Sequence, residues 1–409
     1  MKTNLTRRNF LGTIGIATAG LALAGCGNSG SAGSGDSGEK AKSQIDGPKS
    51  SFKVGGIGPL TGAAAIYGTA TDWGAQVAVN EINKAAGDVT FSYNCQDDTH
   101  VAETSVNAYN NLKDWGLQIL VGTTTTAPCV AVSDKTNKDN IFELTPSASS
   151  VDVIGEGSSR KSNVFQMCFT DPNQGKISAD MVAQKKLGTK IAILHDQGDT
   201  YSTGLHDGFV EEAKNKGLSI VADESFDSNN NTDFTSQLGK FKDAGADVVV
   251  MPFYYQQGGL VLQQAKDNGY EFTFVGMDGM DGILQQDGFD ASVAEGLYLI
   301  TPFTADTEDE NTQKFVDAFS KLSDGVKPNQ FAADAYDCVF AIKQAIETSG
   351  VTSDMSASDI CDKLVACFTA KDFKFSGLTG TDMTWSEDGT VSKIPQCYVI
   401  KDGKYQVVA

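Results

Sequence analysis

The sequence carries two kinds of polar turn with opposite chemistry. One kind is rich in hydroxyls: Thr123 to Thr126 in VGTTTTAPC, then Thr145, Ser147 and Ser149 in LTPSASS. Hydroxyls and helix-start amides donate hydrogen bonds to a carboxylate without adding a fixed cation. The other kind is acidic: Asp171 in FTDPNQG and Asp278 in FVGMDGMDG, both able to accept from an ammonium group. Tyr201 and Tyr254 can flank an apolar side chain, and Tyr67 in GIGPLTGAAAIYG adds an aromatic wall beside glycines that admit close approach. A small zwitterion fits between two such sets of loops. Serine and threonine are also common helix caps, and turn acids are often solvated, so each segment taken singly has a structural reading too.

Bond-making chemistry has little support. The metalloprotease, serine-hydrolase and phosphate-loop signatures are absent. The histidines are His100, His195 and His206, and His195 ends a strand from which it could reach a cleft. No His, Cys and carboxylate group has strong metal spacing; Asp97, Asp98 and His100 come nearest, and DGFDASVAEG departs from the calcium-loop pattern. Neither a cofactor nor a metal is expected. The net charge of -20, from 52 acidic and 32 basic side chains, disfavours nucleic acid and spreading on an anionic bilayer.

The elements that must position these turns alternate along the chain. SFKVGGIGPL opens a strand, DWGAQVAVNEIN reads as helix, and VTFSYNCQDD is a second strand. LQILVG and IFELTPS are continuous apolar strands of the kind buried in parallel sheets. KIAILHD, ADVVVMPFYY, FTFVGMDG and LYLITPF repeat the pattern, and helices follow at about 309–321, 331–348 and 356–368, the last capped by Ser356. The tail reads as short strands with turns at Asp388-Gly389 and Asp402-Gly403. This order predicts an α/β protein of two lobes. The polar turns then lie at strand carboxyl ends and share one crevice.

The N-terminus reads differently. MKTNLTRRNFLGTIGIATAGLALAGC has a basic head, a short apolar run and small residues before Cys26, the layout of a signal peptide over 1–25. Leu23 to Cys26 resembles a bacterial lipobox, which implies a lipid on Cys26. Arg7-Arg8 resembles a twin-arginine export motif, and an ordinary positive head remains an equal reading. Residues 26–51 hold almost no apolar side chains and read as a flexible tether. Cys361 with Cys367, and Cys95 with Cys129, are pairs able to meet, each also readable as buried thiols.

Taken in order, GIGPLTGAAAIYG, AVNEIN, Asp97-Asp98, LVGTTTTAP, LTPSAS, DPNQG, GADVVVMPFYYQQG, FVGMDG and FSGLTG resemble the periplasmic branched-chain amino-acid-binding proteins of ABC transporters. The resemblance spans roughly residues 52–395. It implies a two-lobed type I periplasmic-binding-protein fold, with parallel sheets flanked by helices and three interlobe crossings. One lobe would hold 52–169 and 303–375, the other 173–300 and 379–409. The resemblance sets Tyr67, Tyr201 and Tyr254 against the ligand, with Thr126, Ser147 and Ser149 at its carboxylate end. Asp171 becomes an acidic pocket residue and Asp278 the ammonium partner. It implies a monomeric, extracytoplasmic, lipid-anchored receptor, not an enzyme, that passes a free amino acid to an ABC permease and ATPase. A ligand-sensing subunit of a signalling complex has the same fold, and an amide-processing enzyme using His195 is a more distant alternative. Two departures stand out. Asp278 is one methylene shorter than the glutamate often found there, and MPFYYQQG is bulky enough for Phe253 or Tyr255 to narrow the cleft.

Overall fold

The computed structural model describes residues 43–286 and 288–408. The expected signal peptide, Cys26 and most of the expected tether lie outside those residues. The first lobe begins with β1 (Gln44–Ile45), β2 (Phe52–Gly58), α1 (Ala65–Lys84), β3 (Phe91–Asp97) and α2 (Ala102–Trp115). It continues through β4 (Ile119–Gly122), α3 (Thr126–Asp139), β5 (Phe142–Thr145), α4 (Val151–Ile154) and β6 (Val164–Gln166). These strands form a six-stranded sheet in the order β1-β3-β2-β4-β5-β6. All neighbours are parallel except β1, which runs antiparallel to β3. The expected tether therefore reaches too far: Gln44 and Ile45 already add to the sheet edge, and Ser43 donates to Asp72 at 2.9 Å. Backbone pairing orders this stretch without an apolar side-chain pattern, which is why composition missed it.

The second lobe contains α5 (Asp171–Gln184), β7 (Lys190–Asp196), α6 (Thr200–Asn215), β8 (Ser219–Phe226), α7 (Thr235–Asp243), β9 (Val248–Met251), α8 (Tyr255–Asp267), β10 (Thr273–Gly276) and β11 (Tyr298–Thr301). The chain then runs through α9 (Glu310–Leu322), α10 (Gln330–Ser349) and α11 (Ala357–Phe368) before β12 (Gln396–Lys401) and β13 (Lys404–Val407). The second sheet has the order β13-β12-β11-β10-β9-β7-β8, antiparallel only at its β11-β12-β13 end. Strands β4, β5 and β9 are buried along their whole length because helices cover both faces, the burial that their continuous apolar runs anticipate. The chain passes between sheets three times: after β6, after β11 and before β12.

α10 and α11 return to the first lobe. Ile342 and Ile346 of α10 share a core with Ala78 and Val79 of α1. Phe368 of α11 packs 4.9 Å from Phe142, and Ser356 caps α11 by accepting from the Asp359 amide at 3.1 Å. The segment after α11 corrects the expected boundary at 375–379. Met383 and Trp385 are buried in the first-lobe core, Trp385 lies 4.7 Å from Phe368, and its Nε1 donates to the Gln166 carbonyl at 2.8 Å. The last crossing therefore follows Val391. The polar turn at Asp388-Gly389 disguises two residues that anchor a non-strand segment.

The crossing itself is pinned by Lys393, whose buried ammonium meets Asp334 of α10 at 2.5 Å and Thr379 at 2.7 Å. Nearby, Asp337 accepts from the Leu378 and Thr379 amides. The seven cysteines among the described residues are free thiols. Cys129 faces Glu143, whereas Cys361 faces Asn140. No helix among the described residues is long and apolar enough to cross a membrane.

Candidate functional site

The opening loop between β2 and α1 is tight: a side chain at Gly68 would come within 2.1 Å of the Pro59 carbonyl oxygen. That turn sets Tyr67 in the first turn of α1, fully buried and pointing across to the second lobe. Its hydroxyl donates to the Gly279 carbonyl at 2.5 Å and accepts from the Tyr255 amide at 3.3 Å. Its ring lies 4.7 Å from Phe331 and 5.5 Å from Tyr254. The ordinary purpose of a phenol, an apolar body with one polar tip, here joins the lobes.

The threonine run closes the end of β4 and starts α3. Several of its hydroxyls hold the turn together. Thr124 Oγ1 pairs with Thr71 Oγ1 at 2.8 Å, Thr145 donates to the Thr123 carbonyl at 2.7 Å, and Ser147 donates to the Thr124 carbonyl at 2.5 Å. Thr125 is the residue before α3 but makes no side-chain cap bond. Its hydroxyl instead meets His100 Nδ1 at 2.9 Å. Burial holds the His100 imidazole below its ordinary pKa, so it is neutral. The first amides of α3 have no partner within the helix, and the positive end of its dipole points the same way.

The acid side is built on the turn after β10. Asp278 Oδ1 accepts from Tyr201 at 2.6 Å, and Tyr201 in turn accepts from the Gly279 amide at 2.8 Å. Gln330 at the start of α10 donates to the Asp278 carbonyl at 2.9 Å, another bond between lobes. Burial pushes the Asp278 carboxyl up to about 6, against the lowering effect of the Tyr201 hydrogen bond. Tyr201 and Tyr254 stack at 4.8 Å with 17° between their planes.

These groups enclose one small cavity of about 20 Å³. Tyr67, Thr124, Thr125, Thr126, Ser147 and Phe331 come from the first lobe; Tyr201, Tyr254, Asp278 and Gly279 come from the second. The space is about one water in size, so the lobes are closed on each other. A cavity of about 200 Å³ beside Asp281, Phe303 and Tyr405 contains none of the anticipated residues.

Six of the eight anticipated ligand residues meet at the small cavity: Tyr67, Thr126, Ser147, Tyr201, Tyr254 and Asp278. Ser149 and Asp171 do not line it. They form a buried layer in which the Asp171 amide donates to the Ser149 carbonyl at 2.9 Å. The Ser149 hydroxyl and both Asp171 carboxylate oxygens lack an aligned hydrogen-bond partner. Burial drives the Asp171 carboxyl well above its ordinary range, with nearby Ser149 pulling it down and Asp278 adding to the rise.

Thr124, Thr125, Gly279 and Phe331 also line the cavity, without an individual ligand role expected from the sequence. Thr125 was hidden within a run of four identical residues, and Phe331 reads as an ordinary apolar residue of a helix. Two other expectations are corrected. Of the two bulky candidates, Phe253 turns into the second-lobe core, 5.1 Å from Phe226, whereas Tyr255 reaches the first lobe, its hydroxyl donating to the Ala63 carbonyl at 2.9 Å. His195, the base of the enzyme alternative, is absent from the cavity lining and lies beside His206 and Asp223.

A family model described as periplasmic binding protein matches residues 51–401. The Leu/Ile/Val-binding protein homolog 3 of Brucella melitensis is 31% identical over 75% of this chain and 82% of its own length. The leucine-, isoleucine-, valine-, threonine- and alanine-binding protein of Pseudomonas aeruginosa is 26% identical over 73% of this chain and 79% of its own. Among solved structures, the branched-chain amino acid transporter substrate-binding protein LivJ from Streptococcus pneumoniae, in complex with isoleucine, superposes with a TM-score of 0.77. It is 29% identical and covers 88% of this chain and 99% of its own. Two mostly parallel sheets joined by three crossings, closed over a cleft between strand ends, agree with a match running through both lobes, and the chain belongs to the periplasmic binding protein family.

Proposed function

We propose that this chain is the solute-binding receptor of an ABC importer, held outside the cytoplasm by a lipid on Cys26. Its cargo is a free amino acid of the branched-chain or a related type, and its partners are an ABC permease and ATPase. It acts by reversible binding, without covalent chemistry. The observation that carries this reading is the opposition across the cavity: the start of α3, where the Thr126 and Ala127 amides have no acceptor within the helix, with Thr125 and Thr126 on one side, and Asp278 on the other. The α3 amides and Thr126 donate to a carboxylate, joined by Thr125 when His100 Nδ1 carries the proton, and the second set accepts from an ammonium. Ser147 has committed its proton to the Thr124 carbonyl, so its oxygen is an acceptor and belongs with the ammonium end. Tyr67, Tyr201, Tyr254 and Phe331 wall the apolar part. Ser149 and Asp171 support this ring from behind.

A cavity of about 20 Å³ admits no amino acid while the lobes stay closed. Binding therefore requires separation and reclosure, driven by a ligand that contacts both lobes only in the closed form. The crossings supply the hinge, and the Tyr67 and Gln330 bonds to the second lobe form at closure.

Calorimetry of the full chain against the standard amino acids tests the proposal. One branched-chain or related amino acid is expected to bind at a ratio of one per chain, and the same skeleton lacking its amine is expected to bind far more weakly. Binding of an uncharged sugar with no response to any amino acid would reject the cargo class. Tyr67→Phe removes only the hydroxyl that spans the lobes. It should weaken binding by about 0.5–1.5 kcal/mol, read in the same titration; an unchanged affinity would show that this bond does not favour closure.

A further inference from the structure

The second lobe holds a group of side chains that amino-acid binding does not use. His195 at the end of β7, His206 in α6 and Asp223 in β8 each offer a ligand atom, and these atoms all lie within 4.8 Å of one another. His206 Nε2 is 3.0 Å from Asp223 Oδ2, and His195 Nδ1 is 3.4 Å from Asp223 Oδ1. Bonds of about 2.0–2.2 Å to a tetrahedral zinc ion place its ligand atoms roughly 3.4 Å apart. Both contacts fall near that spacing but end on different oxygens of Asp223, so binding requires one carboxylate oxygen to serve both imidazoles.

Two further features distinguish the group from a simple histidine–aspartate pair. His195 Nδ1 is buried and makes no aligned hydrogen bond, although it faces the carboxylate. On the far side of the other ring, His206 Nδ1 meets Asp207 Oδ1 at 2.9 Å. Asp207 holds the proton on Nδ1, the arrangement that orients histidine ligands in metal sites, and a metal would take the place of the contact that Nε2 now makes with Asp223. The two imidazole rings lie 4.2 Å apart, brought side by side from β7 and α6.

We propose that His195, His206 and Asp223 form a binding site for one divalent transition metal ion of the zinc type. Two imidazoles and one carboxylate suit such an ion, and the partly exposed Asp223 leaves its fourth position to water. The ion would fasten β8, the edge strand of the second sheet, to β7 and α6. Nothing in the chain order advertises the site, because its residues are far apart in sequence and only the β7-α6-β8 connection brings them together.

Equilibrium dialysis of the chelator-treated full chain with zinc chloride tests the proposal. One zinc per chain is expected. His195→Gln, His206→Gln and Asp223→Asn should each abolish binding at that site, and Asp207→Asn, which acts through His206, should weaken it by about tenfold or more. Cobalt(II) chloride added to the unmodified chain gives a readout independent of any variant's folding. It should produce visible bands of a nitrogen–oxygen site without the near-ultraviolet thiolate band that binding at a cysteine would give. Absence of stoichiometric zinc, retention of zinc by the three ligand variants, or a thiolate band with cobalt would each overturn the assignment.

Discussion

Lys393→Met is expected to lower the unfolding free energy by about 3–5 kcal/mol at pH 8, the usual consequence of removing one partner from a buried ion pair. The Lys393 side chain is fully buried and its ammonium bonds both Asp334 and Thr379. Methionine fills similar volume but leaves the Asp334 carboxylate without a cation, and Asp337 lies close by on the same helix. Burial pushes the Asp334 carboxyl up to about 7 even with Lys393 opposing it. A carboxyl raised in this way favours folding below its unfolded value and loses that contribution as pH rises through its folded value. The defect should therefore shrink toward pH 5, where Asp334 takes up a proton, and grow toward pH 8. Urea unfolding at both pH values measures it. A cost below about 1 kcal/mol at pH 8 would mean that the pair adds little to the fold.

Asp278→Asn should weaken amino-acid binding by about 1–3 kcal/mol through loss of a charge-assisted interaction with the ammonium. The amide oxygen can still accept from Tyr201, so the local geometry survives. The sign for the unliganded protein is opposite. The Asp278 carboxyl sits near 6 because of burial, so at pH 8 the native side chain holds a charge that the fold disfavours. Asparagine removes that charge, and the variant should melt at or above the native temperature at pH 8 while binding less. Affinity of the native chain should also decline as pH falls through about 6, because a proton then occupies the group the ammonium needs. The variant should lack that part of the pH profile. Calorimetry across pH 5 to 8 reads both, and equal affinity in a folded variant would move the ammonium site away from Asp278.

The alternation of apolar strands with helices was legible in the chain because it is a local pattern: a strand buried on both faces must be apolar throughout, and a turn follows where polarity returns. The hydroxyl and acid turns were legible for the same reason, and Asp278, Tyr201 and Thr126 meet at one cavity. Contacts between separate elements were not legible. Phe331 differs from other apolar helix residues only in being at the cavity end of α10, and Trp385 only in the core that receives it.

What the amino-acid order determined by itself, then, was two sheets and the chemical character of the loops at their ends, since both follow from residues near one another in the chain. Tertiary structure alone decided that Ser149 and Asp171 stand behind the cavity, that Ser147 faces it as an acceptor, and that His195 meets His206 and Asp223 on β7, α6 and β8. Those outcomes depend on the register of strands and the packing of helices, which set side-chain directions to within an ångström and leave no periodic trace in the sequence.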